Sequence, residues 1–237
     1  MERILEQLPR FLSQRNLVLL AEAAGMTLAM TAAGCLIGFL LAFVIVYLRQ
    51  TPGRWALPVR LACIAYVEIF RRIPFLVIIY LVLFTIPLVL RDASLFVIAV
   101  VSICIYATAY ISEIIRGGIE SVPRQQVEAA ATMNLGRLQT TLWVVLPQAM
   151  PVIVPPAVAF GVSFIKDTAL VSQIGMFELT FRGKELNNQG YSAVLVFGTI
   201  AFVYFLMSWP LNLWGQYLEK RLAAPRSQRR RRTLRQP

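Results

Sequence analysis

The sequence predicts an all-α membrane protein of five transmembrane helices, on three observations. Of its 237 residues, 58% are apolar and only 15% charged, with a mean hydropathy of +0.66; a soluble domain usually needs about 25% charged residues to cover its surface. Five uncharged or nearly uncharged runs approach the length of about 20 apolar residues that crosses a hydrocarbon core. The basic residues, finally, are unevenly shared among the segments between those runs.

The runs are Ala23 to Leu48, Ile73 to Leu90, Ala93 to Ser112, Leu138 to Ile165 and Leu186 to Leu218, with Asn187 to Gly190 assigned to the preceding loop. They place spans at about 20–48, 73–90, 93–115, 144–170 and 191–216 within one domain of residues 1–219, followed by a basic tail over 220–237. The first run is too long for the apolar part of a cleaved signal peptide, and no clear small-residue cleavage site follows it. With the C-terminus inside, sixteen Lys and Arg fall in inner segments and six in outer ones, with Lys166 near the end of the fourth run. The excess of positive charge on the cytoplasmic side, with an odd number of spans, sets the N-terminus outside.

In the first span, Gly34 and Gly38 form a GxxxG, extended on one face by Thr27, Thr31 and Ala42. Small residues allow close backbone approach in lipid, and the stripe serves packing within the subunit or between subunits. In the fourth run Pro147, Pro151, Pro155 and Pro156 remove backbone donors. A kinked segment is expected there, and kinks are tolerated where protein or a water-filled cavity surrounds them, so this span is expected to line a path.

Between spans three and four, about residues 119–142, polar residues take over. Gly117 and Gly118 can end the third helix, Pro123 suits a first turn, and Gln125 to Met133 reads as a short surface helix with Val127, Ala130 and Ala131 on one side. Glu128 and Arg124 would face the cytoplasm, which suits a docking element.

Several activities are excluded or weakened. The chain has no histidine, and Cys35, Cys63 and Cys104 sit singly in apolar runs, so no thiol-metal site or CxxC pair exists and buried structural cysteines are expected. No P-loop occurs; the only Gly-Lys pair, Gly183-Lys184, is followed by Glu185. The net charge of +11 lies largely in the tail, whose RSQRRRRTLRQP lacks interleaved aromatics, so anionic lipid rather than nucleic acid is its expected partner.

Charged groups at membrane depth are expensive and therefore candidates for function. Glu68 and the Lys166-Asp167 pair stand out. Together they supply both signs of charge for a polar solute; a mutual ion pair that closes a gate or fixes the fold is the alternative. Arg71 and Glu113 are expected to pair as structural anchors.

Four stretches carry a family resemblance. Glu128-Ala129-Ala130, with Val144, Leu146 and Pro147 at the seventeenth, nineteenth and twentieth places, resembles the EAA loop of ABC importer permeases. The seventh place, usually Gly, is Asn134, with Gly136 two residues later; Asn is the side chain that best tolerates a left-handed backbone. Tyr66-Val-Glu68-Ile-Phe70-Arg71-Arg72-Ile-Pro74, Tyr110 to Ile119, and Lys166-Asp167-Thr168-Ala169-Leu170 are similar to segments of the subfamily that imports polar amino acids and opines.

The resemblance covers about Glu22 to the end of the last span and implies the type I ABC importer permease architecture in a bacterial inner membrane. It further implies a second permease, identical or homologous, two separate ATPases holding ATP and Mg, and an extracytoplasmic binding protein. By the same resemblance, Glu128, Ala129, Ala130, Asn134, Gly136 and Pro147 would couple to the ATPase. Glu68, Lys166, Asp167 and Thr168 would line the substrate pathway, and Arg71, Pro74, Glu113 and Gly117 would be structural. The competing readings are an ion-coupled secondary transporter or channel, against which no internal repeat is found, and an intramembrane enzyme, for which no nucleophile stands beside a base.

Overall fold

A computed structural model describes the backbone of residues 2–233 and the side chains of residues 6–222. Ten α-helices follow one another among the described residues, and no strand occurs there. Helix α1 (Glu2–Phe11) and α2 (Gln14–Arg49) meet at an elbow at Leu12 and Ser13; α3 (Leu57–Phe70) and α4 (Phe75–Val89) form a bent pair; α5 (Leu95–Glu120) is the central helix. After it come α6 (Arg124–Thr132), the single turn α7 (Arg137–Gln139), α8 (Leu146–Asp167), α9 (Leu179–Asn188) and α10 (Ala193–Thr233). Four segments, Gln14–Arg49, Leu95–Glu120, Arg137–Ile174 and Ala193–Leu222, are long and apolar enough to cross a membrane, and the α3–α4 pair makes a fifth if taken as one span.

Helix α2 packs along α5 through the small-residue stripe read from the sequence. Thr27, Thr31, Gly34, Gly38 and Ala42 are all buried. A Cβ on Gly34 would lie 2.5 Å from Ile103 Cγ2, and one on Gly38 would lie 2.8 Å from Ala107 Cβ. The two backbones can therefore approach only because these side chains are missing. This stripe packs within the chain.

The run 73–90 holds the single helix α4, but the sequence reading has no place for α3, which precedes it and meets it at 117°. Pro74 stands at the entry to α4 with φ −57° and ψ 138°, and a proline pushes its predecessor out of the helical region, so the chain turns at Arg71 to Pro74. Gly117 and Gly118 do not end the third helix, since α5 continues to Glu120. Gly118 instead lets α5 touch α8, because an added Cβ would overlap Ile153. The helix stops where Val122 precedes Pro123, with the Ser121 hydroxyl donating to Gly118 O at 2.7 Å.

The prolines of the fourth run, expected to kink it, leave the helix unbroken: α8 runs through Pro151, Pro155 and Pro156. The irregular turns lie at its two ends, a π-helical turn over Thr140–Val145 and a 3-10 segment over Thr168–Ile174. Leu146 N bonds Thr141 O, five residues back, just before Pro147, which has no N–H to offer. The wider turn absorbs the ring there.

Of the cysteines, Cys63 is buried and Cys35 and Cys104 are half-buried; all three are free. Helix α10 passes through position 220 without a break. The side chains of the basic tail from 223 onward lie outside the described residues.

Candidate functional site

The stretch from Pro123 to Pro147 folds as a hairpin standing on α2 and α8. Of the nine residues in α6, Ala130 is the buried one, at 2% exposure. Val127 and Ala131, expected on the same apolar side, are exposed together with Glu128 and Ala129. Asn134 closes the turn after α6 with φ 57°, the only positive φ at a non-glycine among the described residues. Leu135 N then reaches back to Ala130 O at 3.2 Å, and Gly136 N donates to Gln139 Oε1 at 2.9 Å to start α7.

The hairpin is fastened at two points. Arg137 lies over the Tyr47 ring at 4.8 Å and its Nη2 donates to Tyr47 O at 3.2 Å, which ties it to α2. Gln148 Nε2 donates to Gln126 Oε1 at 3.4 Å and to Val144 O at 2.9 Å, which ties α6 to α8. Met133, Leu138, Leu142 and Trp143 are exposed along the hairpin as an apolar apron, the last three from the start of the fourth apolar run.

Beside the hairpin, at the same end of the bundle, Glu113 gathers three arginines. Arg49 Nη1 of α2 lies 2.5 Å from its Oε1, Arg116 Nη2 lies 2.9 Å from its Oε2, and Arg71 Nη1 lies 3.7 Å away. The Glu113 and Arg49 side chains are each 15% exposed. The expected Arg71–Glu113 contact is thus the longest of three, and Arg49 had not been singled out. Arg71 also covers the Tyr110 ring at 5.4 Å, and Tyr110 OH donates to Arg71 O at 3.1 Å. Glu68 is exposed and pairs with Arg72 one turn on, Nη2 to Oε2 at 2.7 Å.

An aromatic stair links this end to the far end of α8. Tyr106 and Tyr110 on α5 and Phe160 and Phe164 on α8 lie on consecutive turns, with centroid distances of 5.3 Å for Tyr106–Phe164 and 5.7 Å for Tyr110–Phe160. Phe75, following Pro74, closes it at 4.9 Å from Phe164. Just beyond, Lys166 and Asp167 are exposed and form no ion pair with each other or with another described side chain. Thr168 is fully buried, its hydroxyl donating to Ile165 O at 2.6 Å, which places it in packing rather than on an open wall.

A second buried cluster, unmarked by any sequence spacing, lies between α2, α9 and α10. Glu178 caps α9, accepts from Phe181 N at 2.8 Å, from Tyr204 OH at 3.0 Å and from Thr27 Oγ1 at 3.4 Å, and is fully buried. Burial pushes its carboxyl above the ordinary carboxylate range, against the pull of those hydrogen bonds.

A helical membrane bundle with a hairpin projecting between its spans and charged residues at both ends of an aromatic wall defines a permease-type transport component. The chain belongs to the family described as binding-protein-dependent transport system inner membrane component, which it matches over residues 34–224. It is 33% identical over 197 residues to the L-cystine transport system permease protein TcyB of Bacillus subtilis, covering 83% of each chain. It is 32% identical over 210 residues to the glutamine transport system permease protein GlnP of Escherichia coli K12, covering 86% of this chain and 93% of that one. Among solved structures, an amino acid ABC transporter aligns with a TM-score of 0.78 and 27% identity over 87% of this chain and 95% of the other. The inward-facing MetNI methionine ABC transporter shares the fold, with a TM-score of 0.76 at 23% identity.

Proposed function

We propose that this chain forms the translocation pathway of an ATP-driven importer for polar amino acids or related compounds, powered by a separate ATPase that grips the α6 hairpin. The observation that carries the reading is the hairpin itself: an exposed Glu128 helix with an apolar apron, tied by Arg137–Tyr47 to α2 and by Gln148–Gln126 to α8. A force applied to α6 reaches two spans through these contacts. The curated relatives are transporters of cystine and glutamine by name, which supports an amino-acid substrate.

In this reading the hairpin end, with its cluster of arginines, faces the cytoplasm and the α1–α2 elbow faces outward, as the distribution of positive charge favours. ATP and Mg sit on the partner ATPase. A second permease, identical or homologous, completes the pathway, and a binding protein delivers the amino acid from outside. Ala129 lets the exposed face of α6 lie close to its partner, the buried Ala130 seats α6 on its own chain so that the grip is transmitted, Asn134 and Gly136 set the angle of the hairpin, and Pro147 follows the π-helical turn through which movement enters α8. Lys166 and Asp167 offer both signs of charge to a zwitterion, while Glu68 stands beside Arg72 as a site for a passing ammonium. Arg71, Pro74, Glu113 and Gly117 hold the bundle end in shape.

Glu128→Arg, expressed with the partner subunits, tests the docking. Retention in the membrane with loss of ATP-driven uptake or of ATPase copurification supports it. Normal ATP-driven uptake by that variant rejects it.

A further inference from the structure

Where the hairpin leans on the end of α2, a cleft of about 240 Å³ lies open, running from Phe43 to Gln50 on α2 and facing Leu138, Thr141 and Leu142 on the other side. Its wall is apolar and unclaimed. Val44, Leu138 and Leu142 line it and remain 52%, 54% and 49% exposed. The Thr141 hydroxyl is spent on Arg137 O at 2.9 Å, which leaves only the side chains of Tyr47 and Gln50, in the last turn of α2, as polar groups of the wall.

Shape and charge together identify the occupant. Phe43 and Gln50 are seven residues apart, a rise of about 10 Å, so the cleft averages roughly 24 Å² in cross-section. A helix about 10 Å across would need roughly 800 Å³ over the same length, whereas a single hydrocarbon chain fits. The cleft also follows α2, a helix apolar and long enough to cross the membrane, and so runs in the direction of lipid chains. The charge stands at its polar end. Arg137 lies over the ring of Tyr47, a wall residue, at 4.8 Å, and forms no ion pair with another described side chain. Trp143, exposed next to Leu142, adds an aromatic ring of the kind that collects at the headgroup level.

We propose that this cleft holds one acyl chain of an anionic phospholipid, with Arg137 on its phosphate, and that the lipid wedges the hairpin against α2. A guanidinium matches the acceptor oxygens of a phosphate, and the chain supplies contacts that an unfilled apolar cleft forfeits. Only the choice of leaflet rests on the function proposed above: with the hairpin in the cytoplasm, the lipid comes from the inner leaflet, whose surface is negative.

The test uses the full-length chain in a neutral detergent, with native mass spectrometry and thermal unfolding as readouts. Three probes are compared: dioleoyl phosphatidylglycerol, the phosphatidylcholine with the same chains, and glycerophosphoglycerol, the headgroup without chains. Phosphatidylglycerol should remain as a bound adduct and raise the Tm, with an apparent affinity about tenfold above that of phosphatidylcholine. Val44→Trp should fill the cleft and weaken both lipids about tenfold. Leu142→Trp repeats the test from the hairpin side and keeps it readable if Val44→Trp does not fold. Leu40→Trp, one turn earlier on α2, exposed and outside the cleft, should bind as the native chain does. Arg137→Gln should abolish the preference for phosphatidylglycerol, and Arg137→Lys should keep it. Native affinity in the filled variants, an equal loss in Leu40→Trp, equal binding of phosphatidylcholine by the native chain, or binding of the chainless headgroup as tight as that of the lipid overturns the proposal. These outcomes are read on the isolated chain and do not depend on uptake, so Glu128→Arg decides the docking separately.

Discussion

Arg49 at the end of α2 and Glu113 near the end of α5 meet at 2.5 Å although 64 residues separate them in sequence. With Arg71 and Arg116 on the same carboxylate, this contact joins α2, the α3–α4 elbow and α5 beside the hairpin. Replacing Glu113 by Ala leaves three guanidinium groups around a vanished partner. A loss of roughly 1–3 kcal/mol is expected, between the values for exposed and for buried pairs. Thermal unfolding of the purified variant measures it, and Arg49→Ala with Glu113→Ala should cost less than the two single losses added together.

The α2–α5 seam leaves no room at Gly38, where an added Cβ would lie 2.8 Å from Ala107 Cβ and 3.1 Å from Thr108 N. Gly38→Leu should destabilise by about 1–3 kcal/mol or prevent accumulation in the membrane, as overpacking does. Gly25 has nothing within 4 Å of the same position, so Gly25→Ala serves as the control and should unfold with the native chain. Equal thermal stability of Gly38→Leu and the native chain would contradict the close approach.

Asn134 has φ 57°, where glycine is unstrained and a β-branched side chain is not. Asn134→Gly should preserve the hairpin. Asn134→Val should cost about 1–2 kcal/mol locally and, if α6 is the grip for an ATPase, reduce coupled uptake more than it reduces membrane yield.

Glu178 gives a pH dependence with a definite sign. Its folded carboxyl titrates above its ordinary value because burial disfavours the charged form. The native state then holds a proton that the unfolded state has released, so stability falls as pH rises from the unfolded value through the folded one and is regained on acidification. The Tm of the native chain, minus that of Glu178→Gln, should therefore increase as pH is lowered from about 8 toward about 5. A difference independent of pH, or one that falls on acidification, would show that the carboxyl is held ionised.

Much of this architecture is written in local pattern. Run length gave the spans, small residues at four-residue steps gave the α2 face that meets α5, and the tolerance of Asn for a left-handed backbone anticipated the turn at Asn134. Other features depend on tertiary contacts that no local rule contains. Gly118 reads as a helix stop but serves the approach of Ile153, so packing overrides the local preference. Helix α3 is hidden by Arg60 and Glu68, which break its apolar run, and its 117° angle to α4 falls at Pro74. Glu178 and Arg182 look like ordinary loop charges. Their burial is created by α2 and α10, which approach from opposite ends of the chain.

The side-chain amide of Gln7 bridges both sides of the turn before the last span, donating to Gly190 O at 3.2 Å and accepting from Ser192 N at 2.7 Å. These partners lie 183 and 185 residues away. During synthesis the amino-terminal helix must wait for nearly four-fifths of the polypeptide before its glutamine finds its ligands, and contacts of such separation form late. The clasp thus closes late: an interrupted product ending before Gly190 lacks both partners of Gln7, and its first helix is held only by nearer contacts such as Asn16 Nδ2 to Phe11 O.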